Sequence, residues 1–117
     1  MTQNNPKEIS ARALDRWLQN DSSKPLLVDV REKQELLIAP FSHKVLNIPL
    51  SEAVEWADDF LGQISDDQSI VVICHSGIRS WNFGIWLIEQ KCGCEVWNLS
   101  GGIDSWSLDV DPSVPRY

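Results

Sequence analysis

The run Ile70-Val71-Val72-Ile73 constrains this chain more than any other feature. Consecutive β-branched residues favour a strand. Apolar side chains at every position mean that both faces of that strand are covered, the situation of a central strand in a parallel sheet. A parallel sheet needs crossover connections, so helices are expected on both of its faces. The chain must then alternate short apolar runs with helical patterns, and it does.

Ser10 is placed to cap a helix over Ala11 to Asn20, with Leu14, Trp17 and Leu18 on one apolar face and Ile9 and Leu14 spaced as a hydrophobic staple. Leu26-Leu27-Val28 reads as a short buried strand ending at Asp29, and Val45 to Ile48 as another, closed by Pro49. Ser51 is expected to cap a helix through about Ile64, with Val54, Ala57, Leu61 and Ile64 inward; Asp66-Asp67 is a turn. After Ile73 comes a loop, then a helix from about Arg79 to Lys91, apolar nearly all round and therefore expected to be well buried, with Gly93 ending it. Glu95 to Leu99 is a last strand, and Gly101-Gly102 turns into a short helix holding Ile103 and Trp106. The order β-α-β-β-α-β-α-β-α predicts an α/β fold with a central, mostly parallel, five-stranded sheet and helices on both faces. One domain spans 1–117, with its core at about 7–108 and an irregular tail over 109–117.

With 117 residues and 43% hydrophobic content the chain can bury a core without disulfide or metal staples. Its formal net charge of −7 argues against nucleic acid and anionic membranes as partners, and it makes a local cation such as Arg79 stand out. The polar start has no basic segment followed by an apolar one, and no apolar run approaches a membrane span, so the cytoplasm is the expected location. Three cysteines, Cys74, Cys92 and Cys94, do not suggest a disulfide framework there.

Open α/β sheets form their sites beyond the carboxyl ends of strands. Cys74 follows the best strand directly, in Ile73-Cys74-His75-Ser76-Gly77-Ile78-Arg79-Ser80. A strand, a short loop and a helix start bring backbone N–H groups and a partial positive charge towards its sulfur, which favours the nucleophilic thiolate. Gly77 suits a backbone conformation closed to residues with a Cβ. Arg79, in the first helical turn, can face an anion held above the loop.

The run from Cys74 to Ser80 resembles the active loop of rhodanese-like sulfurtransferases, Cys-x-x-Gly-x-Arg-Ser. Leu27-Val28-Asp29-Val30-Arg31-Glu32 is similar to the family's strand ending in Asp-x-Arg, Asn47-Ile48-Pro49-Leu50 to its Asn-Ile-Pro segment, and Leu99 to Trp106 to its Leu-x-Gly-Gly-x-x-x-Trp ending. The resemblance covers roughly 7–108. The chain departs from it over 40–46, where the family often has His-Ile-Pro-Gly-Ala beside the mouth of its site, so substrate choice does not carry over. The resemblance implies a rhodanese-like domain that needs no cofactor or metal. It implies that Cys74 takes a sulfane sulfur from a donor such as thiosulfate, becomes a persulfide, and yields the sulfur to cyanide, a thiol or a protein acceptor.

Cys74 is thus the expected nucleophile, with His75, Ser76, Gly77, Ile78 and Arg79 lining the substrate seat. An ion pair of Arg79 with Asp29 or Glu32 is the plainer alternative. His75 is expected to point to solvent, and His43 to be a surface loop residue. Asp29, Arg31 and Ser80 are expected to brace loops beside the site. Cys92-Gly93-Cys94 has no second pair to complete a zinc site. A helix of about a dozen residues, rising about 18 Å, carries it away from Cys74. Two other functions compete. Phosphatases and arsenate reductases of related fold have five residues between cysteine and arginine, whereas four separate Cys74 from Arg79. A non-catalytic interaction module would not need Cys74.

Overall fold

The computed structural model describes residues 3–20 and 22–117. The elements in chain order are β1 (Lys7–Ile9), α1 (Ala11–Asn20), β2 (Leu26–Asp29), α2 (Lys33–Ile38), β3 (Leu46–Asn47), a 3-10 turn (Leu50–Glu52), α3 (Ala53–Gln63), β4 (Ser69–Ile73), α4 (Ile78–Glu89), β5 (Glu95–Leu99) and α5 (Gly102–Asp109). The strands form one sheet in the order β1-β5-β4-β2-β3, and every pairing is parallel. The run Ile70 to Ile73 lies in β4 at the centre, as its composition requires.

Alternation along β4 divides the core. Val71 and Ile73 pack with Leu14, Leu18, Ile103 and Trp106, the side covered by α1 and α5. Ile70, Val72 and Cys74 pack with Phe60, Phe83 and Leu87, the side covered by α3 and α4. The connections leaving β2 and β4 run in opposite directions along the sheet, towards β3 and β5, so they part above these two strands. A crevice at such a divergence is where open α/β sheets bind ligands.

Ser10 caps α1 as expected: its Oγ accepts the Ala13 N–H at 3.1 Å. Ser51 does not cap α3. Its N–H and hydroxyl both bond to the Glu32 carboxylate, and the segment enters α3 through the 3-10 turn. The inward face of α3 is correspondingly rotated: Phe60 is buried, Trp56 and Leu61 are half-buried, and Val54 is fully exposed. Helix α4 is less enclosed than its composition suggested, with Phe83, Gly84 and Leu87 buried and Trp81, Ile85 and Trp86 half-buried. It stops at Glu89, before Lys91, which adopts a left-handed φ of 56°.

Two features depart further from expectation. Helix α2 was not legible as an element. The tail beyond α5, although it has no helix or strand, folds back onto the domain. Val114 is buried in the core, the Ser107 hydroxyl donates to the Val114 carbonyl at 2.6 Å, and Arg116 pairs with Asp104 at 2.7 Å. The core therefore extends past 108. No helix among the described residues is long and apolar enough to cross a membrane.

Candidate active site

Cys74 follows β4 and is only 1% exposed. Its sulfur takes the place of a capping side chain at the start of α4. The Gly77 N–H donates to Sγ at 3.1 Å, the Ser80 N–H donates at 3.3 Å, and the Ser80 hydroxyl lies 3.2 Å away. These N–H groups belong to the first turn of a helix, where the backbone has no partner of its own. Gly77 makes the turn possible: its φ of 99° lies in the left-handed region, and it is the residue from which α4 starts.

The carbonyls of the loop point the other way and are also satisfied. Ile103 N–H donates to Cys74 O at 2.9 Å and Asp104 N–H to His75 O at 3.1 Å. Two helix N-termini thus grip one loop, α4 at its sulfur and α5 at its carbonyls. The Gly-Gly turn before α5 brings the latter in close, with Gly102 at a φ of 59°.

Ser80 does more than brace the loop. Its hydroxyl donates to Asn98 Oδ1 at 2.5 Å, and the Asn98 amide donates to Gly77 O at 3.1 Å and to Glu8 at 2.8 Å. Asn98 sits on β5 and ties the cradle to the sheet. Its role was not legible in the sequence, because a polar residue in a strand carries no signal of what it faces.

Asp29 and Arg31 form a fully buried ion pair at the end of β2, with Arg31 Nη2 at 2.9 Å and Nε at 3.0 Å from the carboxylate. Burial opposes the charge on Arg31, but hydrogen bonds to Asp29 and Tyr117 outweigh it and raise the guanidinium's pKa. The amide of Asn47 donates to the carbonyls of Asp29 and Arg31, each at 2.9 Å. The Asp-x-Arg and Asn-Ile-Pro segments noted in the sequence therefore meet in space.

Arg79 is placed otherwise than the sequence suggested. Its guanidinium is paired, and the partner is neither Asp29 nor Glu32 but Glu35 on α2, in a two-pronged contact of 2.7 and 2.8 Å. The hydrogen bonds from Arg79, opposed by burial and helped by Tyr117, hold the Glu35 pKa down at about 2. The same contact raises that of Arg79. His75 does not simply point to solvent: its ring stacks on Tyr117 at 4.0 Å and 13°. Ser76 and Ile78 are exposed on the rim.

The divergent connection over 40–46 packs on α5, with the Phe41 ring 4.6 Å from that of Trp106. His43 meets Trp106 edge-on at 5.9 Å. Cys92 and Cys94 lie between α4 and the start of β5, at the opposite end of the sheet from Cys74. Burial, with Cys92 adding to it, pushes the Cys94 thiol up to about 12, so it resists ionisation.

Known proteins resemble this chain in sequence and fold. The rhodanese-like domain family profile matches residues 10–109. The chain is 39% identical over 92 residues to the rhodanese-like/PpiC domain-containing protein 12, chloroplastic, of Arabidopsis thaliana, covering 78% of this chain but 30% of that protein. It is 30% identical over 95 residues to the thiosulfate sulfurtransferase GlpE of Pseudoalteromonas translucida, covering 76% of this chain and 90% of that one. A rhodanese-like domain protein from Staphylococcus aureus superposes with a TM-score of 0.73 at 22% identity, over 95% of this chain and 98% of the other. With the cysteine loop, its two gripping helices and the Asp29–Arg31 brace in place, the chain belongs to the rhodanese-like sulfurtransferase family.

Proposed function

We propose that this chain transfers sulfane sulfur through a persulfide on Cys74. The observation that carries the reading is the convergence of the Gly77 and Ser80 N–H groups on a sulfur with almost no exposed surface. Donors fixed in that way stabilise a negative charge without having to reorganise. In the first half-reaction the Cys74 thiolate attacks the outer sulfur of a donor such as thiosulfate. A new S–S bond forms, the donor's S–S bond breaks, and sulfite leaves with the bonding pair. In the second, cyanide or a thiol, including one on a protein, attacks the outer sulfur of the persulfide and regenerates the thiolate. Gly77 and Ser80 hold the sulfur, while His75, Ser76 and Ile78 form the mouth. Asp29 and Arg31 brace the loops. Relatives named as sulfurtransferases support the reading.

A phosphatase reading is disfavoured because Arg79, which would have to wrap a tetrahedral oxyanion, is turned to Glu35. The experiment is intact-protein mass under non-reducing conditions after exposure to thiosulfate and to organic persulfides, followed by cyanide. One added sulfur mapped to Cys74 and released as thiocyanate is expected. No gain from any donor would leave a binding module as the better account.

A further inference from the structure

Arg79 occupies the loop position where an anionic donor would be met, yet its guanidinium is already engaged. Both of its terminal nitrogens donate to Glu35. The carboxylate is itself saturated, because it also accepts the Glu32 N–H at 3.1 Å and the Tyr117 hydroxyl at 2.7 Å. Tyr117 locks the arrangement from the tail. Its hydroxyl accepts from Arg31 Nη1 at 3.1 Å while its ring lies flat on His75. The tail is anchored for this, with Val114 buried and Arg116 on Asp104. The other guanidinium of the cluster, Arg31, is neutralised by Asp29. These four charges cancel, in a chain of net charge −7.

The geometry points to Glu35 and Tyr117 as specificity-determining residues that close Arg79 off and set the site for organic persulfides, R–S–SH, over dianionic thiosulfate. This rests on the persulfide reading of Cys74. With such a donor the Cys74 thiolate attacks the outer sulfur and a new S–S bond forms. The donor's S–S bond breaks, and its electron pair stays on the inner sulfur, which takes the persulfide proton and leaves as R–SH. Thiosulfate follows the same course, but it brings two negative charges to a mouth beside which both guanidiniums are already paired with carboxylates. It can use Arg79 only by displacing a carboxylate whose hydrogen bonds are all made.

The test is the second-order rate at which Cys74 gains one sulfur from thiosulfate and from 2-hydroxyethyl persulfide, followed by intact mass in wild type, Glu35→Gln and Tyr117→Phe. Glutamine can keep the bond to the Glu32 N–H while removing the charge. The ratio of thiosulfate rate to persulfide rate is expected to rise about tenfold in Glu35→Gln, as one negative charge is removed from a partly exposed site, and by a smaller factor in Tyr117→Phe. A ratio that stays at the wild-type value, with both rates falling together or neither moving, overturns the assignment. Alkylation of Cys74 separates this from the persulfide reading. Iodoacetate and iodoacetamide both lose iodide to the thiolate, but only the first is anionic. Their rate ratio at Cys74 should rise several-fold in Glu35→Gln even if no sulfur donor charges the protein. An unchanged alkylation ratio refutes the clasp, whereas a raised ratio without sulfur transfer refutes only the persulfide reading.

Discussion

Gly102→Ala should displace Cys74 without replacing it. Gly102 has a φ of 59°, which costs a residue with a Cβ about 1–2 kcal/mol. The new Cβ would lie 2.5 Å from the His75 carbonyl oxygen and 2.6 Å from its carbon, and it would also press on the Cys74 carbonyl. The carbon pair alone needs about 0.9 Å of withdrawal to reach its ~3.5 Å optimum, and overpacking of this kind costs about 1–3 kcal/mol. The combined loss is then about 2–5 kcal/mol, or a fall in Tm on the order of 10–20 °C. The loop must retreat from α5, giving up the bonds from Ile103 and Asp104, and it carries Cys74 with it. A misplacement near 1 Å can cost about a hundredfold in rate. Gly101→Ala is the control. Its φ of 74° carries a similar backbone penalty, but its Cβ meets Ser105 of α5 instead of the loop. Thermal unfolding should show both variants destabilised. Sulfur loading and alkylation of Cys74 below the transition should change only in Gly102→Ala. If the two variants alter Cys74 reactivity equally, or neither does, the claim that α5 positions the loop through its carbonyls is wrong.

Cys74→Ser should abolish persulfide formation while leaving the unfolding curve close to wild type; residual loading would put the sulfur on Cys92 or Cys94. Asn98→Leu removes the Ser80 hydroxyl's oxygen acceptor and the side-chain donor to Glu8 and Gly77 O. It should cost about 1–3 kcal/mol in denaturant unfolding and slow Cys74 loading; unchanged values for both would remove Asn98 from the cradle. Asp29→Asn leaves Arg31 charged and buried without its counter-charge, with an expected loss of about 3–5 kcal/mol; a loss under 1 kcal/mol would mean that neutral acceptors, Tyr117 among them, suffice for Arg31. The Glu35 pKa is depressed, from an ordinary 4.5 to about 2. Its contribution is therefore complete above the unfolded-state value and disappears as pH falls from about 4.5 towards 2. After allowance for the partial exposure of Arg79 that contribution is about 1–2 kcal/mol. Stability curves of wild type and Glu35→Gln should converge over that window, and parallel curves would show that the pair adds nothing.

The central strand, the cysteine loop and the parallel sheet were legible because each rests on local chemistry: β-branching at 70–73, a glycine at Gly77, a helical pattern from about Arg79. What escaped the sequence depends on chain segments meeting from afar. Helix α2 buries none of its residues and presents Leu37 and Ile38 outward, so it has no inward periodicity to read, and with it Glu35 was missed. The spacing of Glu32 and Glu35 is that of a reciprocal cap, which the structure contains. A glutamate at the first position is an unusual choice for one. Ser51 looked like a helix cap by type, but the Glu32 carboxylate claims it. Tyr117 lies in a stretch with two prolines and no period, where nothing local marks a return to the site.

The grip of α5 on the loop also sets an order of events during synthesis. Cys74 and His75 leave the ribosome well before Ile103 and Asp104, whose N–H groups donate to the loop's carbonyls. β1 waits even longer in sequence terms, since Lys7 pairs only with Trp97 on β5. Pairings between such distant parts of a chain form late, and domains fold as units during elongation. A nascent chain that has not yet made α5 thus carries Cys74 in a loop whose carbonyls still lack their α5 donors, and the grip on that loop is complete only after the last strand and helix have been made.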